Sequence, residues 1–352
     1  MRILHVITSL LTGGAEKLIV DIVPRLREKG HVVDVAVFNG IETPFLTELR
    51  KSKDVKIYLL GNSFYDVRYI FKLRRIIKNY DIVHTHNSSP QLYAAIANIG
   101  LHKRLVTTEH NTTNRKRNNL LLRIVDKWMY KQYEQIICIS DKAAENLKGY
   151  LGYSDRICVI YNGVDVERFH QAQPIADMKS SRFVALMVAA FRPQKDQDTL
   201  VRAISRLPKE KYEVWFAGEG PRLEEVQDLV RRLGVESQSR FLGNRTDVPE
   251  LLKTADVIVM STHYEGLSLS NIEGMSVGKP FVASDVDEVH EITAGYGILF
   301  PHEDEVSLST IMQRLSEDFA YNKKVAKKCY DRAKNYDLTS MVSQYCEVYE
   351  FV

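Results

Sequence analysis

Short apolar segments alternate with amphipathic helical segments along the chain, and this alternation limits the folds that the chain can adopt. In the first half, segments with strand character cover residues 2–8, 32–39, 55–60, 82–86, 105–109 and 136–140. In the second half they cover residues 183–189, 213–217, 239–242, 257–260, 281–283 and 297–300. Strands separated by helices indicate a parallel sheet with helices on both faces. The sequence therefore predicts an α/β fold with two doubly wound, Rossmann-like domains that face a central cleft.

The length of 352 residues agrees with two domains of about 150 residues each. Residues 171–181 are polar, include a proline and lack an apolar period, so they are predicted to form a linker. The N-terminal domain is then expected to span residues 1–170 and the C-terminal domain residues 182–335. Residues 336–352 have a helical pattern with aromatic side chains, and this helix is expected to pack back toward the N-terminal domain and to brace both domains.

Composition and cysteine usage indicate a globular protein of the cytoplasm. The chain is 45% hydrophobic, and no apolar run approaches the roughly 18–20 residues that a bilayer-spanning helix needs. The first seven residues have the pattern of a strand rather than of a signal peptide. The four cysteines are scattered, without the spacing of a metal site or a disulfide framework. We therefore expect a cytoplasmic location.

Positive charge is concentrated in the first half of the chain. Residues 1–171 contain 26 Lys and Arg against 17 Asp and Glu, whereas residues 172–352 contain 22 against 28. Two basic segments, 68–78 and 115–131, mix cations with apolar and aromatic side chains. The charge pattern alone favours ordinary solvated helix faces, and the functional alternative is peripheral binding to an anionic inner-membrane surface. Nucleic acid is not expected as a partner, because no recognised binding motif is present.

The segment from His263 to Pro280 carries the most chemical information. It follows an apolar strand and holds two carboxylates, Glu265 and Glu273, around a small-residue loop that turns into a helix. A helix that begins after such a loop presents free backbone N–H groups to an anion. Carboxylates at each end of the loop can hold hydroxyl groups around a phosphorylated ligand, so the segment suggests a nucleotide-sugar site. Ser270 and Glu273 also have the spacing of a capping box, and on spacing alone the two interpretations are about equally good.

Two further loops lie directly after predicted strands. Gly13 and Gly14 separate the first strand from the first helix, where they allow a close backbone approach to a ligand or form a simple tight turn. Arg192 and Lys195 follow the first strand of the second half, where two cations can neutralise a diphosphate. Cations are also common in surface loops, so the predicted position beside the cleft is what favours the functional interpretation.

Three other positions are weaker signals. Gly218 and Glu219 follow a strand of the second half and fit either contact with a nucleobase or a plain turn. His110 ends a strand of the first half and can hydrogen-bond a sugar hydroxyl, although a lone histidine is more often structural. His84 and His86 lie on one face of a strand by period-two alternation. No third ligand appears at metal spacing, so these two histidines are interpreted as cleft wall and no metal site is predicted.

Taken together, these segments resemble the family 4 retaining glycosyltransferases, which have the GT-B architecture. The resemblance covers nearly the whole chain, and its specificity lies in the order and spacing of individually loose motifs. They are Gly13-Gly14-Ala15-Glu16, His110, Asn162-Gly163-Val164-Asp165 with Phe169, Lys195, Gly218-Glu219-Gly220-Pro221, and the segment from Glu265 to Glu273.

The resemblance implies a fold, an activity and a substrate class. The reaction would move a hexose or N-acetylhexosamine from a nucleotide-diphosphate sugar to a hydroxyl of a glycan acceptor. A UDP-sugar is favoured over a GDP-sugar as the donor. The basic N-terminal domain adds the expectation of a lipid-linked acceptor at the inner membrane face, as in the synthesis of capsule, lipopolysaccharide or exopolysaccharide. No metal or other cofactor is expected, because cationic side chains would stabilise the leaving group.

The resemblance also implies the roles of individual residues. The catalytic set would be His110, Lys195 and Glu265: His110 and Glu265 would contact the transferred sugar, and Lys195 would neutralise the leaving diphosphate together with Arg192. Glu273 would hold the ribose hydroxyls. The remaining donor contacts would come from Gly13, Gly14, Gly218, Glu219, Gly266, Leu267, Ser268 and Leu269, the last four through backbone amides at the phosphates.

The chain departs from the family pattern at one position. The family places an arginine five residues before the lysine, and here that position is Ala190, whereas Arg192 lies three residues before Lys195. Arg192 either substitutes from its own position or leaves the phosphate to Lys195. The alternatives are a nucleotide-sugar epimerase or phosphorylase of the same fold, and a non-catalytic nucleotide- or glycan-binding protein. An NAD-dependent dehydrogenase is disfavoured, because the first loop lacks the third glycine of the dinucleotide fingerprint.

Overall fold

In the computed structural model, the chain divides into two compact units. The structure describes residues 1–11, 13–110, 120–265 and 269–352, with the backbone alone at 120, 121 and 288. Unit 1 comprises Met1–Gly163 and Leu338–Val352, and unit 2 comprises Val164–Asp337.

Seven parallel strands form the sheet of unit 1, within the part of the chain that the structure describes. They are β1 (Arg2–Ser9), β2 (Val32–Asn39), β3 (Ile57–Gly61), β4 (Ile82–His86), β5 (Arg104–Glu109), β6 (Gln135–Cys138) and β7 (Ile157–Val159). Their spatial order is β3-β2-β1-β4-β5-β6-β7. β7 has no recognisable strand signal in the sequence, because it is a three-residue strand at the sheet edge with two half-buried positions and too few residues to show a period.

The helices of unit 1 cover both faces of this sheet. Those that lie between its strands are α1 (Gly14–Glu28), α2 (Pro44–Arg50), α3 (Arg68–Ile77), α4 (Ser88–Ala97), α5 (Leu120–Lys131) and α6 (Asp141–Leu151). Helices α1 and α2 share one core with side chains such as Ile3 and Ile137 of the sheet. Helices α3 to α6 share the other core, with Leu4 and Val83. Strand residues thus alternate between the two cores, as a doubly covered parallel sheet requires.

Six parallel strands form the sheet of unit 2, counted over the described residues. They are β8 (Phe183–Val188), β9 (Tyr212–Ala217), β10 (Ser239–Phe241), β11 (Val257–Met260), β12 (Phe281–Ser284) and β13 (Ile298–Phe300). The order is β10-β9-β8-β11-β12-β13, so the chain leaves β8 toward one edge and returns at β11 on the other side. Loops that follow such a pair of strands diverge, and the crevice between them is where doubly wound sheets bind ligands.

The first helix of unit 2 lies before the predicted start of the C-terminal domain. The helices of this unit are α7 (Val166–Gln171), α8 (Gln197–Ser205), α9 (Leu223–Leu233), α10 (Val248–Thr254), α11 (Leu269–Ser276), α12 (Asp287–Thr293), α13 (Glu305–Glu317) and α14 (Phe319–Ala333). Helix α7 buries Val166 and Phe169 and packs on α10 and α11. The predicted boundary at residue 170, with a linker over 171–181, is therefore too late, because α7 already belongs to unit 2.

The last helix, α15 (Leu338–Phe351), belongs to unit 1. It packs on α1 and contributes Met341, Tyr345 and Tyr349 to the core that α1 and α2 share.

The two parallel sheets confirm the predicted α/β fold with two Rossmann-like sheets. No helix in the described ranges combines the length and apolar character needed to cross a membrane.

Candidate functional site

The central feature of unit 2 is an ion pair between two buried side chains at the carboxyl ends of β8 and β11. The Lys195 ammonium donates to Oε1 of Glu265, and the two side chains are only 10% and 7% exposed. Lys195 Nζ also lies 3.6 Å from Met260 Sδ, while Glu265 Oε1 lies 3.4 Å from Thr262 Oγ1. Two predicted site residues that are seventy positions apart in sequence therefore meet in the structure.

The backbone around this pair is held by bonds between the two loops. Lys195 and Thr262 form an antiparallel bridge, and the backbone N–H of His263 donates to the carbonyl of Gln194 at 2.9 Å. The Thr262 hydroxyl donates to the same carbonyl at 2.8 Å. On the other side, the N–H of Asp196 donates to the carbonyl of Ser261 at 3.1 Å. These bonds fix the two loops to each other, so the ion pair sits in a rigid setting.

Arg222 supports the lysine from a third loop. Its Nη1 donates to the carbonyl oxygen of Lys195 at 3.1 Å, and its Nη2 donates to both carboxylate oxygens of Asp198 at 3.0 and 3.1 Å. Asp196, which lies between Lys195 and Asp198 in the sequence, caps α8 by accepting from the N–H of Thr199 at 3.1 Å. Arg222 was not among the predicted site residues, although a cation directly after the Gly218–Pro221 turn is a signal in the sequence.

Arg192 is placed differently from Lys195. It is exposed, and its guanidinium makes no hydrogen bond or ion pair to the residues that the structure describes. Ala190, at the position of the family arginine, is half-buried, and its carbonyl accepts from Gln197 Nε2 at 3.2 Å. The loop thus carries one buried cation engaged with Glu265 and one exposed cation, both after β8.

The glycines of the turn after β9 are required by close packing. Gly218 has φ 143° and Gly220 has φ 155°, values that side chains rarely adopt. A Cβ at Gly218 would collide with the carbonyl oxygen of Ala189, and one at Gly220 with that of Phe191. Glu219 accepts from Asn244 Nδ2 at 2.9 Å. The turn therefore lies against the loop after β8, which accounts for both glycines without a ligand.

Helix α11 positions the second predicted carboxylate. It begins at Leu269, and Glu273 lies half-buried one turn further on. The predicted contacts of Gly266, Leu267 and Ser268 lie outside the described residues. Gly274 brings α11 close to the sheet, since a Cβ there would lie 3.0 Å from side-chain atoms of both Ile258 and Phe281. The small residues of this segment thus also serve the packing of α11 on β11 and β12.

In unit 1, the loop before α1 is only partly described. Gly14 is the first residue of α1, and Gly13 precedes it with an extended backbone. A Cβ at Gly13 would meet the carboxylate end of Glu16, a flexible group that can move, and one at Gly14 would meet nothing. Burial raises the pKa of Glu16. The packing around these two glycines therefore leaves both of the sequence interpretations open.

His110 lies at the end of β5 and is connected to three other histidines. His86 Nδ1 lies 3.0 Å from His110 Nε2, and His86 Nε2 lies 3.0 Å from His5 Nδ1. His84, on the same strand and face as His86, bonds Tyr349 OH at 2.6 Å and Thr108 Oγ1 at 2.8 Å. Burial lowers the pKa of His110 to about 4 and that of His5 to about 3, and it holds those of His84 and His86 well below the usual value.

A third histidine lies beside His84 and His86 in space, although none stands at metal spacing in the sequence. His5 of β1 is the register partner of His84, and one ring nitrogen from each of His5, His84 and His86 lies within 4.8 Å of the others. However, hydrogen bonds to protein partners occupy both nitrogens of His84 and both of His86. The rings form a buried hydrogen-bonded stack rather than a set of lone pairs aimed at one point, which a metal site would need.

A second cluster with metal-ligand chemistry lies on the surface of unit 2. His263 Nδ1 lies 2.9 Å from His302 Nε2 and 3.3 Å from Glu303 Oε1. His263 follows β11 and the other two follow β13, so two loops contribute. The side chains are 31%, 38% and 60% exposed. No local spacing in the sequence could have indicated this cluster, because its members are brought together by the order of the strands.

Two family models match the chain in succession. Residues 12–168 match the model described as Glycosyltransferase Family 4, and residues 167–336 match the model described as Glycosyl transferases group 1. The UDP-Gal:alpha-D-GlcNAc-diphosphoundecaprenol alpha-1,3-galactosyltransferase of Escherichia coli is 26% identical over 310 residues, 81% of this chain and 79% of the relative. The lipopolysaccharide core biosynthesis glycosyltransferase LpsD of Rhizobium meliloti is 28% identical over 206 residues, 56% of this chain and 57% of the relative.

Solved structures agree with this assignment at the level of the fold. HepE of Anabaena, crystallised with UDP, aligns over 100% of both chains with a TM-score of 0.88 and 21% identity. WaaG, a glycosyltransferase involved in lipopolysaccharide biosynthesis, aligns over 99% of both chains with a TM-score of 0.72 and 16% identity. With the two matched models spanning residues 12–336, the chain belongs to the family 4 glycosyltransferases, which have the GT-B fold.

Proposed function

We propose that this glycosyltransferase moves a hexose or an N-acetylhexosamine from a nucleotide-diphosphate sugar to a hydroxyl of a glycan acceptor, with retention at the anomeric carbon. The observation that carries the proposal is the buried pair of Lys195 and Glu265 at the carboxyl ends of β8 and β11. An ammonium held in a site of low polarity strongly stabilises charge that develops on a leaving diphosphate. In this proposal, the carboxylate beside it accepts hydrogen bonds from sugar hydroxyls.

The proposed reaction is a same-face substitution. The bond from the anomeric carbon to the β-phosphate oxygen breaks, and the acceptor hydroxyl oxygen bonds to that carbon on the side from which the phosphate leaves. The acceptor proton passes to the departing phosphate oxygen, and the products are a glycoside and a nucleoside diphosphate. Lys195 and the exposed Arg192 stabilise the developing phosphate charge, while His110 donates a hydrogen bond to a hydroxyl of the transferred sugar.

Two properties of the donor reaction are part of the proposal. We favour a UDP-sugar, because the E. coli relative is named for UDP-Gal and HepE was crystallised with UDP and with UDP-glucose. We also expect transfer without a divalent metal, since Lys195 and Arg192 supply the positive charge that a cation would otherwise bring. The contacts of Glu273 with the ribose hydroxyls, of Gly13, Gly14, Gly218 and Glu219 with the donor, and of the amides of Gly266 to Leu269 with the phosphates belong to the same proposal.

A lipid-linked acceptor at an anionic membrane surface is supported by exposed apolar side chains in unit 1. On α5, Ile124 is 62% exposed and Trp128 37% exposed, and basic residues alternate with them along the helix. On α3, Phe71 is 69% exposed between exposed cations. Apolar groups flanked by Lys and Arg are what an amphipathic surface helix inserts into the headgroup region. The name of the E. coli relative includes a diphosphoundecaprenol acceptor.

Nucleotide binding is the first test of the donor assignment. Thermal unfolding is followed in a panel of UDP, GDP, ADP, CMP and their common sugars, with a chelator present. A ligand at 100 times its dissociation constant stabilises the folded state by about 2.7 kcal/mol, so a selective rise in melting temperature with UDP and one UDP-sugar is expected. A selective rise with GDP instead would overturn the UDP assignment, and no rise with any of them would overturn the donor site itself.

Transfer by a lysine variant tests the chemical role. Lys195→Ala is expected to lower transfer at least about tenfold, because an electrostatic stabiliser of the leaving group is lost. Lys209→Ala is the matched control, since Lys209 is an exposed lysine of the same unit whose ammonium donates to the carbonyl of Gly234. Unchanged turnover of folded Lys195→Ala would contradict the assignment. Release of free sugar or of an isomer without an acceptor would point to the epimerase alternative.

Flotation with anionic liposomes tests the membrane part separately. Binding at low salt that weakens as salt rises is expected, and Ile124→Glu should reduce it. Phe319→Glu is the control, because Phe319 is 69% exposed but lies in unit 2. Absence of binding at low salt, or equal loss in both variants, would refute the assignment of this surface.

A further inference from the structure

His5, His86 and His110 form a hydrogen-bonded chain of histidines. The hydrogen bonds of this chain run in one direction, which is set at its buried end, His5. Each ring nitrogen of His86 faces one neighbour, His5 on one side and His110 on the other, at 3.0 Å in both cases. A neutral imidazole carries one N–H and one lone pair. In a chain of neutral rings, the choice of tautomer at one ring therefore sets the tautomer of the next.

The rings of His5, His86 and His110 are all neutral at physiological pH. His5 and His86 are fully buried, and burial holds the pKa of each histidine of the chain far below the usual value. His84 stacks on both His5 and His86, and its own partners are the uncharged side chains of Thr108, Tyr345 and Tyr349. Two hydrogen-bond directions then remain, one running from His5 to His110 and one running in reverse.

His5 Nε2 decides between them. It is buried and has no hydrogen-bond partner among the residues that the structure describes. If the chain ran from His110 to His5, His5 Nε2 would carry a hydrogen with nothing to accept it. If the chain runs from His5 to His110, the same nitrogen carries only an unpaired lone pair. Orphaned buried N–H groups are rarer than under-satisfied acceptors, so the second direction is the stable one.

We propose that His5 and His86 are positioning residues that hold His110 as its Nδ1–H tautomer, so that His110 presents a hydrogen-bond donor to a sugar hydroxyl. In this arrangement His5 Nδ1–H donates to His86 Nε2, and His86 Nδ1–H donates to His110 Nε2. No described residue hydrogen-bonds His110 Nδ1, and the proposal assigns this N–H to the sugar hydroxyl. The role of the donor N–H rests on the proposed function, whereas the tautomer itself does not.

The strand register explains why this device arises. β1 and β4 pair in parallel with His5 opposite His84, and His86 lies two residues further on the same face. The rings of His5, His84 and His86 stack with centroids 4.6 to 5.3 Å apart and interplanar angles of 12 to 24°. β5 follows β4 in the sheet and ends beside His110. The stack therefore leads from the interior of the sheet to its carboxyl edge, where ligands of such sheets bind.

The tautomer can be read directly from the full-length protein labelled with ¹⁵N-histidine. Long-range ¹⁵N–¹H correlation spectra at pH 7.5 distinguish a protonated Nδ1 from a protonated Nε2, and the His110→Gln variant assigns the His110 signals by their loss. We expect His110 in wild-type protein as the Nδ1–H form, the opposite of the form that free imidazole side chains prefer. An Nε2–H form of His110 in the wild type would overturn the proposal without any variant.

A matched pair of variants then tests the cause. His86→Phe keeps a stacked ring but removes the donor to His110, so His110 should revert to the Nε2–H form. His84→Phe is the control, because His84 has equal burial on the same face of β4 but bonds Tyr349 and Thr108 instead. Retention of the Nδ1–H form in folded His86→Phe, or its loss in His84→Phe, would refute the role of His86.

Transfer kinetics separate this proposal from the proposed function. His86→Phe is expected to lower kcat/KM about threefold to tenfold, the worth of one ordinary hydrogen bond. If the tautomer changes as expected but transfer is unaffected, the positioning role fails while the donor site on unit 2 stands. If nucleotide sugars do not bind at all, the proposed function fails while the tautomer result is untouched.

A different observation carries a second proposal, on the surface cluster of His263, His302 and Glu303. Its three ligand atoms come within 2.9 to 4.0 Å of one another from two loops. Ligand atoms bound to one zinc ion at about 2.0–2.1 Å in a tetrahedron lie roughly 3.3 Å apart, so small side-chain rotations would complete the set. We infer that this cluster binds a zinc ion with water in the open position, and that the ion ties the loop after β11 to the loop after β13.

Isothermal titration of the metal-free full-length protein with Zn²⁺ tests this site. One bound equivalent is expected in the wild type, and none in His302→Ala. His290→Ala is the control, because His290 is also an exposed histidine of unit 2 but is paired with Asp285 at 2.6 Å. Equal binding by wild type and His302→Ala, or no binding by the wild type, would overturn the assignment. Transfer in the presence of a chelator should persist, because the proposed stabilisers of the leaving group are Lys195 and Arg192.

Discussion

The buried pair of Lys195 and Glu265 leads to a prediction about stability that does not depend on any substrate. Removing one member of a buried ion pair strands the other charge and costs about 3–5 kcal/mol, whereas replacing both is often close to neutral. In Lys195→Met, the contacts that the Glu265 carboxylate keeps among the described residues are long, with Thr262 at 3.4 Å and Gln194 at 3.5 Å. In Glu265→Gln, the ammonium keeps an amide oxygen and Met260 Sδ at 3.6 Å.

Each single variant should therefore lose about 3 kcal/mol, and the double variant Lys195→Met with Glu265→Gln should lose less than the worse single variant. For a unit of the size of residues 164–337, 1 kcal/mol corresponds to about 2–4 °C, so each single variant should lower its melting temperature by about 10 °C. Scanning calorimetry without nucleotide measures the unfolding transitions of four full-length proteins: the wild type, the two single variants and the double variant.

The matched control is a surface pair on α9. Arg231 and Asp228 form an ion pair with side chains 60% and 59% exposed, so their cycle should show a coupling of less than about 1 kcal/mol. Single-variant losses at Lys195 and Glu265 that simply add in the double variant, within about 0.5 kcal/mol, would refute the reasoning that the two charges are buried against each other.

Three further predictions concern a glycine, pH and the capping of a helix. Gly218→Ala should cost about 2 kcal/mol or more in thermal unfolding, because φ is 143° and the added Cβ meets the Ala189 carbonyl. Gly234→Ala, with φ 64° and open space around the added Cβ, should cost about 1 kcal/mol, and equal losses in the two variants would contradict the role of packing at Gly218. Burial lowers the pKa of His5 from 6.5 to about 3, so between these pH values the unfolded state binds more protons than the folded state. The contribution of His5 to the free energy of unfolding is therefore fully present above pH 6.5 and falls by about 2 kcal/mol by pH 5. In urea titrations at pH 7.5 and 5, His5→Leu should lose less stability than the wild type, and an equal loss would refute this. Asp304 caps α13 by accepting from the N–H groups of Val306 and Ser307 at 3.0 and 2.9 Å, so Asp304→Ala should cost about 1 kcal/mol, and a neutral result would show that the cap adds nothing.

Much of the fold could be predicted because its signals are local. The bounds of β2, β4 and β11 agree with the segments read from the sequence, since a buried parallel strand is a short continuous apolar run between turn residues. The end of helix α9 is also a local signal, since the Gly234 that follows it adopts the left-handed conformation that favours glycine. The loops that carry Lys195 and Glu265 could be placed at one edge of a sheet, because parallel strands all end on the same side.

Other features depend on which segments become neighbours, and the sequence alone did not show them. His5 meets His84 because β1 and β4 are adjacent in this register, although 79 positions separate them in the chain. Arg222 reaches the Lys195 carbonyl because β9 lies beside β8, and α7 joins unit 2 because its buried face packs on α10 and α11. Side-chain periodicity specifies each strand and helix by itself, but contacts between distant segments are set by strand order, register and packing. The sequence therefore determined the elements and the edge where the site lies, and the tertiary structure decided which side chains meet there.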